Sequence, residues 1–573
     1  MNVVMRKYAE ADRRALEDAG LHPLLARLYA ARRIRSAAEL DYAPARLHAP
    51  AGMKGLERAA ALLADAIAAR RRLLIIADYD ADGATACAVG MRALRAFGAD
   101  VAYLVPDRFK LGYGLSTELV ELAARTDPRG RPDLLITVDN GIASVEGVAR
   151  ARELGMATLI TDHHLPGAEL PSAECIVNPN QPGCDFPSKS LAGVGVMFYV
   201  VLALRAELRR RNWFAGKTEP HLGSLTDLVA LGTVADVVPL DTNNRNLVSQ
   251  GLQRMRAGRA NAGINALLRA AGRNPAEASG FDLGFIAGPR LNAAGRLADM
   301  SIGIECLVTD DEARAANIAQ QLDQLNRERR RIEGGMLEQA LAALGTVGAE
   351  PRSVFHNAAW HQGVVGIVAS RLKDRLHRPV ICFAPAEEKG EKALRGSGRS
   401  VPDLHLRDAL DLVSKRAPGL IRRFGGHSQA AGLTIGEQDL GRFSETFEQV
   451  LAELLPANAS RVLETDGSLE ASHATLDIAR MLEAQIWGQG FPQPLFCDTF
   501  AVEAQRVVGE RHLKLALKKD GRRFEAMCFN AVDASGPRAT GGALGPSIRA
   551  AYRLAVHEFN GLRNVQINVE HLV

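Results

Sequence analysis

The chain has 573 residues, of which 47% are hydrophobic and 24% charged, and its formal net charge is +4. This length is too great for one hydrophobic core, so about three or four domains are expected, and the ordinary globular proportions exclude disorder and low complexity. The small positive charge permits nucleic-acid binding without requiring it, because affinity for phosphates follows local clusters of Lys and Arg. Seven scattered cysteines with no Cys-x-x-Cys spacing read as a reduced, cytoplasmic protein. The opening Met1-Asn-Val-Val-Met-Arg-Lys7 lacks the apolar core of a secretory signal, and no run approaches the roughly 20 apolar residues that cross a bilayer, so no membrane contact is expected.

Residues 1–50, rich in Ala, Arg and Leu, read as short helices. From about residue 72 short apolar runs alternate with longer amphipathic segments: Leu73–Ala77, Val101–Val105, Leu134–Val138 and Ala157–Thr161. Strands and helices of these lengths predict βαβ units and a parallel sheet. Thr309-Asp-Asp-Glu312 has the spacing of a capping box, and Ile318, Leu322, Leu325, Ile332 and Met336 follow at helical spacing, which predicts a long connecting helix. A second α/β segment follows from about 350 to 455. After about 460 the period becomes two, and Asp520-Gly521 between Leu513–Leu517 and Phe524–Cys528 is a strong hairpin signal. A small β-barrel suits the last stretch.

Three of the first four strands run into acids: Asp78-Tyr-Asp80-Ala-Asp82-Gly83, Asp139-Asn-Gly141 and Asp162-His163-His164. In an open parallel sheet the C-terminal strand ends converge on one edge, where ligands bind. Carboxylates gathered there stay ionised together only if cations neutralise them, and oxygen and imidazole donors suit Mn²⁺ or Mg²⁺. The first motif also satisfies the opening of a calcium loop, but Val89 stands where a bidentate Glu is required. A helix N-cap is the competing reading for any single acid, and it fits Asp78 or Asp162. Asp236, inside the apolar run Ala230–Leu240, is a further donor, because a buried carboxylate needs a partner. Gly193-Val-Gly195 suggests a dinucleotide loop, but Phe198 replaces the third glycine.

In this order, Asp78–Gly83, Val138–Gly141, Thr161–His164 and Gly232–Asp236 resemble the four motifs of the DHH phosphoesterase superfamily. Gly112–Leu115, Pro289–Arg296, Gly366–Arg371 and Phe424–Gly432 extend the resemblance over residues 20–573, to the branch that degrades single-stranded DNA from the 5′ end. The resemblance implies an α/β multidomain chain: a helical segment at 1–50, a parallel-sheet DHH catalytic domain at 51–305 and a connecting helix at 306–345. A smaller α/β DHH-associated domain at 346–458 and a C-terminal β-barrel of the OB-fold type at 459–573 follow. It implies two-metal phosphodiester hydrolysis with Mn²⁺ or Mg²⁺ held by Asp80, Asp82, Asp139, His163 and Asp236, with Asp78 as a ligand or close beside, and with His164 facing the scissile phosphate. A single-strand-binding protein and a helicase are its implied partners, in DNA repair and recombination, and a monomer is expected.

Terminal-phosphate recognition needs further cations, and Arg suits bidentate phosphate contact. Arg290 and Arg296 flank Asn292 in a Gly- and Ala-rich segment; Ser370, Arg371 and Arg399 are analogous in the second α/β segment, and Gly425, Gly426 and His427 have the character of a loop pressed against a substrate. Basic runs at Arg209–Arg211, Arg329–Arg331, Arg422–Arg423 and Lys518–Arg523 are candidate tracks for a DNA backbone. Two alternatives remain open: a phosphoesterase of the same chemistry acting on short oligonucleotides or small esters, and a catalytically inactive DNA-binding scaffold.

Overall fold

The computed structural model describes residues 2–109, 111–344, 352–388, 390–455, 462–509, 512–531 and 544–573. They form two compact units, one of Glu10–Arg327 with Ala484–Gln493, the other of residues 2–9, Glu328–Glu483 and Pro494–Val573. The chain opens with a short strand, β1 (Asn2–Met5), where only helices were expected; α1 (Glu10–Asp18), α2 (Pro23–Ala30) and α3 (Leu56–Ala68) then lead into the sheet.

The first unit is built on the parallel sheet that the strand–helix alternation predicts. Strands β2 (Arg72–Ala77), β3 (Asp100–Leu104), β4 (Leu134–Val138), β5 (Ala157–Thr161) and β6 (Cys175–Val177) alternate with α4 (Ala81–Ala96), α5 (Thr117–Thr126) and α6 (Val145–Glu153). The spatial order is β3-β2-β4-β5-β6, all parallel. β6, three residues long, was not foreseen, being too short to show a period. β2 and β4 are buried on both faces, which is why they read as unbroken apolar runs rather than alternating ones. Leu74, Ile76, Leu135 and Ile160 on one face pack with Leu119, Val120, Val148 and Ala151 of α5 and α6. The chain leaves β2 in one direction to β3 and returns to β4 on the other side, so the switch in strand order lies between β2 and β4, and a crevice opens at their C-terminal ends. Helices α7 (Gly193–Arg210), α8 (Thr226–Ala235), α9 (Thr242–Arg256), α10 (Ala262–Ala270), α11 (Gly288–Leu297) and α12 (Ser301–Val308) complete this unit, with a wide π turn at Asp282–Ala287.

The long helix α13 spans Glu312–Ala342. Its cap is Asp311, whose Oδ1 accepts from Ala313 N and Arg314 N at 2.9 and 3.1 Å, rather than Thr309, whose hydroxyl accepts from Asp311 N. The second unit contains a five-stranded sheet of β7 (Val354–His356), β8 (Val380–Glu388), β9 (Glu391–Arg399), β10 (Ile421–Gly426) and β11 (Ala430–Gly436), flanked by α14 (Val365–Leu376), α15 (Leu406–Arg416) and α16 (Leu440–Leu454). Its core joins Ile381, Phe383 and Leu433 to Leu410, Val413, Phe443 and Phe447. β12 (Val462–Thr465) pairs in parallel with β1, so the first strand of the chain joins the segment that leads into the last domain. After α17 (Leu476–Glu483), strands β13 (Phe496–Val508), β14 (His512–Lys519), β15 (Arg522–Cys528), β16 (Ser547–Phe559) and β17 (Leu562–Leu572) close into a barrel. The expected hairpin is present: Lys519 pairs with Arg522, and Asp520 and Gly521 take φ of 49° and 79°, the left-handed pair that a two-residue turn requires.

The segment Ala484–Gln493 departs from the expected boundary of the last domain, since it belongs to the unit carrying the parallel sheet. Trp487 and Phe491 stack on each other at 5.6 Å and lie 5.6 and 6.0 Å from Tyr29, while Arg32 and Arg245 cover their rings. Within the barrel, buried Asp498 accepts from Lys519 Nζ, Ser468 Oγ, Leu469 N and Tyr552 Oη at 2.6–3.1 Å. Asp498→Ala removes the carboxylate that neutralises the Lys519 ammonium and should destabilise the barrel by about 3–5 kcal/mol, read as an earlier urea transition of the C-terminal region.

Candidate metal centre

β2 ends at Ala77, and Asp80 then caps α4, its Oδ1 accepting from Asp82 N and Gly83 N at 2.9 and 3.0 Å. Asp82, one residue into the helix, points away from α4, and its two oxygens accept the first amides of α7, Gly193 N at 2.6 Å and Val194 N at 2.9 Å. A carboxylate is stabilised where unpaired helix amides converge. Asp139 follows β4 with φ of 63°, a left-handed backbone that a non-glycine residue adopts at a cost. The amide of Asn140 clamps the turn by donating to the Ile76 and Val138 carbonyls.

Asp162 organises rather than coordinates. Its oxygens accept from His163 N, His164 N, Ile142 N and His164 Nδ1, and the side-chain amides of Asn178 and Asn180 hold the carbonyls of His164 and His163. Asp236 sits at the C-terminal end of α8, and the next residue, Val237, reverses the chain at φ of 63°.

These elements bring the predicted donors together. His163 Nε2 lies 3.1 Å from Asp139 Oδ1, 3.5 Å from Asp236 Oδ2 and 4.0 Å from Asp82 Oδ2. Three sets of potential ligand atoms, each within 4.8 Å of one another, share members: Asp78, Asp80 and Asp139; Asp82, His163 and Asp236; Asp139, His163 and His164. Burial, reinforced by neighbouring acids, raises Asp78, Asp139 and Asp236 well above the usual carboxylate range, and burial with Asp80 beside it raises Asp82 to about 7. Burial lowers His163 to about 4, which leaves a neutral imidazole. For His164 burial acts in the same direction, but its bond to Asp162 and the surrounding acids outweigh it and raise the group to about 9. Asp139 Oδ1 and His163 Nε2 are buried with no hydrogen-bond partner among the described residues. Crowded carboxylates, a neutral imidazole and unpaired donor atoms fit divalent cations with a preference for oxygen and nitrogen, and no thiolate intervenes.

Small residues make this packing possible. A Cβ on Gly193 would stand 2.8 Å from Asp139 Oδ1, one on Gly232 2.1 Å from Thr85 Oγ1 and 2.9 Å from Asp82 Oδ1, and one on Gly295 1.9 Å from the Tyr79 carbonyl. The Gly193-Val-Gly195 sequence, set aside as a failed dinucleotide loop, thus serves the acid cluster. Tyr113 was also missed as a side chain: its hydroxyl lies 3.2 Å from His164 Nδ1, and Arg108 lies over the Tyr79 ring at 4.5 Å.

The phosphate-recognition candidates divide. Arg290 is turned inward, pairing with Asp323 of α13 at 2.6 Å and donating to the Ile286 carbonyl. Asn292 also has a local task, its Oδ1 accepting from Ala81 N at 2.8 Å and fixing the start of α4. Arg296 lies half-buried near the end of α11. In the second unit, Ser370 and Arg371 lie on α14, Arg371 pairing with Glu333 at 3.0 Å. Arg399 ends β9 opposite Ala430, and Gly425, Gly426 and exposed His427 form the adjoining β10–β11 turn. The basic runs are largely neutralised: Arg209 by Glu219, Arg210 and Arg211 by Glu207, Arg329 by Glu333, Arg331 by Glu328, Arg422 by Glu391, Lys518 and Arg523 by Glu503, and Lys519 by Asp498.

A parallel sheet with acids and imidazoles at its switch point defines a metal-dependent phosphoesterase of the DHH type, and the chain matches the DHH family N-terminal domain over residues 72–233, the DHHA1 domain over 351–453 and the RecJ OB domain over 465–571. It is 48% identical to the single-stranded-DNA-specific exonuclease RecJ of Dickeya dadantii, over 96% of both chains, and 45% identical to that of Escherichia coli, over 98% of both. The crystal structure of RecJ in complex with Mn²⁺ from Thermus thermophilus superposes with a TM-score of 0.81 at 30% identity, covering 100% of this chain and 79% of that one; the Mg²⁺ complex gives 0.75 at 29%. The chain belongs to the RecJ family of exonucleases.

Because the glycine Cβ positions collide with the acids, Gly193→Ala should weaken Mn²⁺ binding by about 10–100-fold while the far-ultraviolet spectrum stays native, as measured by calorimetric titration.

Proposed function

We propose that this protein degrades single-stranded DNA from its 5′ end, hydrolysing phosphodiester bonds to release 5′-mononucleotides, as its relatives' description as single-stranded-DNA-specific exonucleases suggests. The observation that carries the reading is the convergence of Asp78, Asp80, Asp82, Asp139, Asp236 and His163 at one sheet edge. Asp80, Asp82, Asp139, His163 and Asp236 hold two divalent ions, Mn²⁺ or Mg²⁺, and Asp78 stands beside them. Bound there, the ions neutralise the phosphoryl oxygens and supply a nucleophile at neutral pH.

The chain's own groups do the rest. Asp162 keeps the His164 ring protonated and oriented, and that ring, 43% exposed in its side chain, presents positive charge to the scissile phosphate. Tyr113 fixes the other side of the ring. Arg296, Ser370, Arg371, Arg399, Gly425, Gly426 and His427 contact the strand and its terminal phosphate. Arg290 and Asn292 belong to the same binding set, Arg290 held by Asp323 and Asn292 by the start of α4. Residues 51–305 form the catalytic domain, 346–458 the DHH-associated domain and 459–573 the OB-fold domain, apart from the segment Ala484–Gln493. The protein works as a cytoplasmic monomer in repair and recombination, with a helicase to expose strands and a single-strand-binding protein to deliver them. An inactive scaffold is disfavoured because each expected ligand position carries an acid or imidazole.

Strands labelled at the 5′ or 3′ end, single or duplex, incubated with Mn²⁺ or Mg²⁺, provide the test. Mononucleotides should appear from the 5′ end of single strands only, and Asp236→Ala should abolish them while strand binding persists. Release from the 3′ end, or near-normal turnover by the variant in Mn²⁺, would contradict the assignment.

A further inference from the structure

Phe281 and Phe285 flank and enter the π turn at Asp282–Ala287, and both rings lie in solvent, 55% and 64% exposed. They stack on each other, centroids 4.9 Å apart and planes at 20°. Two bare phenyl rings cost solvation free energy in a protein that buries aromatics such as Phe97, Phe186 and Phe383 completely. The turn is also rigid: Asp282 accepts from Ser279 N, Ser279 Oγ and Arg273 Nε at 2.6–3.0 Å, which locks its first residues. A π turn widens the helix to more than four residues per turn, so side chains four apart come nearly into line, and such turns recur at functional sites.

The turn lies against the end of α8 that delivers Asp236. A Cβ on Gly284 would stand 3.2 Å from Val234 Cγ1, and one on Gly288 3.0 Å from Ala235 Cβ. Beyond Asp236, Val237 is 62% exposed, and beyond His164, Leu165 is 74% exposed. Tyr113, at 52%, stands against His164. Exposed apolar groups thus border an acidic, cation-seeking centre, and a ligand that satisfies both carries anionic groups and flat apolar faces together.

We propose that Phe281 and Phe285 form a stacking platform for unpaired nucleobases of the strand held at the metal centre. Each ring uses one face on its neighbour and leaves the other open, so a base can extend the stack. Bases in a duplex already have both faces covered by their neighbours, so the platform favours single strands through the face of the base and is indifferent to sequence. This inference rests on the reading of the protein as a single-strand nuclease and adds positioning residues to it.

The test uses the full-length protein in Mn²⁺ with an oligothymidylate, an abasic strand of equal length and a duplex. Affinity is read by fluorescence anisotropy with the cleavage-blocked Asp236→Ala background, and KM by nucleotide release without it. Phe281→Leu with Phe285→Leu keeps apolar cover but removes the rings; it should weaken oligothymidylate binding and raise KM by about tenfold, with no change for the abasic strand. Phe285→Trp in place of the leucine should restore binding. Equal loss on the abasic strand, unchanged binding by the leucine pair, or failure of Trp to restore it would overturn the platform. If the unaltered protein releases no nucleotides from single strands, the nuclease reading fails instead, and the anisotropy arm still decides the platform.

Discussion

The mutual repulsion of acids packed at one edge of the parallel sheet governs the rest of the catalytic unit. Asp78, Asp80, Asp82, Asp139 and Asp236 come from three separate stretches of chain, and burial, reinforced by neighbouring acids, makes Asp78, Asp82, Asp139 and Asp236 averse to charge. A fold that gathers such groups needs compensation, and one kind is visible. Helix N-termini supply partial positive charge: Asp80 takes the first amides of α4, and Asp82 those of α7. Divalent cations held by the cluster would add to it.

Holding that arrangement explains features far from the strand ends. Gly193, Gly232 and Gly295 lie on three different helices, and each is the place where a side chain would press on an acid or on the acid-bearing loop. Asn292 reaches from α11 to the start of α4. The aromatic segment around Trp487 and Phe491 braces the chain just after Asp236: Leu240 N donates to the Gln489 carbonyl at 2.8 Å, and Gly490 faces Pro239. A segment assigned by sequence order to the barrel therefore acts on the metal-centre unit. The imidazole pair shows the same economy of placement, since the bond to Asp162 raises His164 while burial lowers its neighbour His163.

The charge runs, by contrast, are largely engaged by acids of the protein itself. Their guanidinium and ammonium groups largely meet carboxylates on their own surface, and exposed pairs of this kind are worth little and are screened by salt. The net charge of +4 is therefore a small remainder of groups that are mostly paired.

Local patterns were legible from the residues alone. Apolar runs located β2 to β5, Asp520-Gly521 located the barrel hairpin, and acids directly after strands located most of the acid cluster, because periodicity and turn chemistry act over a few residues. Pairings across long separations were not legible. The union of β1 with β12, the claim of Asp323 on Arg290, the α7 amides that hold Asp82 and the docking of residues 484–493 depend on which surfaces meet after the helices pack. The kind of chemistry thus resides in the order of side chains along the strand ends, whereas the protonation, orientation and reach of those side chains were decided only by tertiary structure, because burial and neighbouring charge exist only in the folded state.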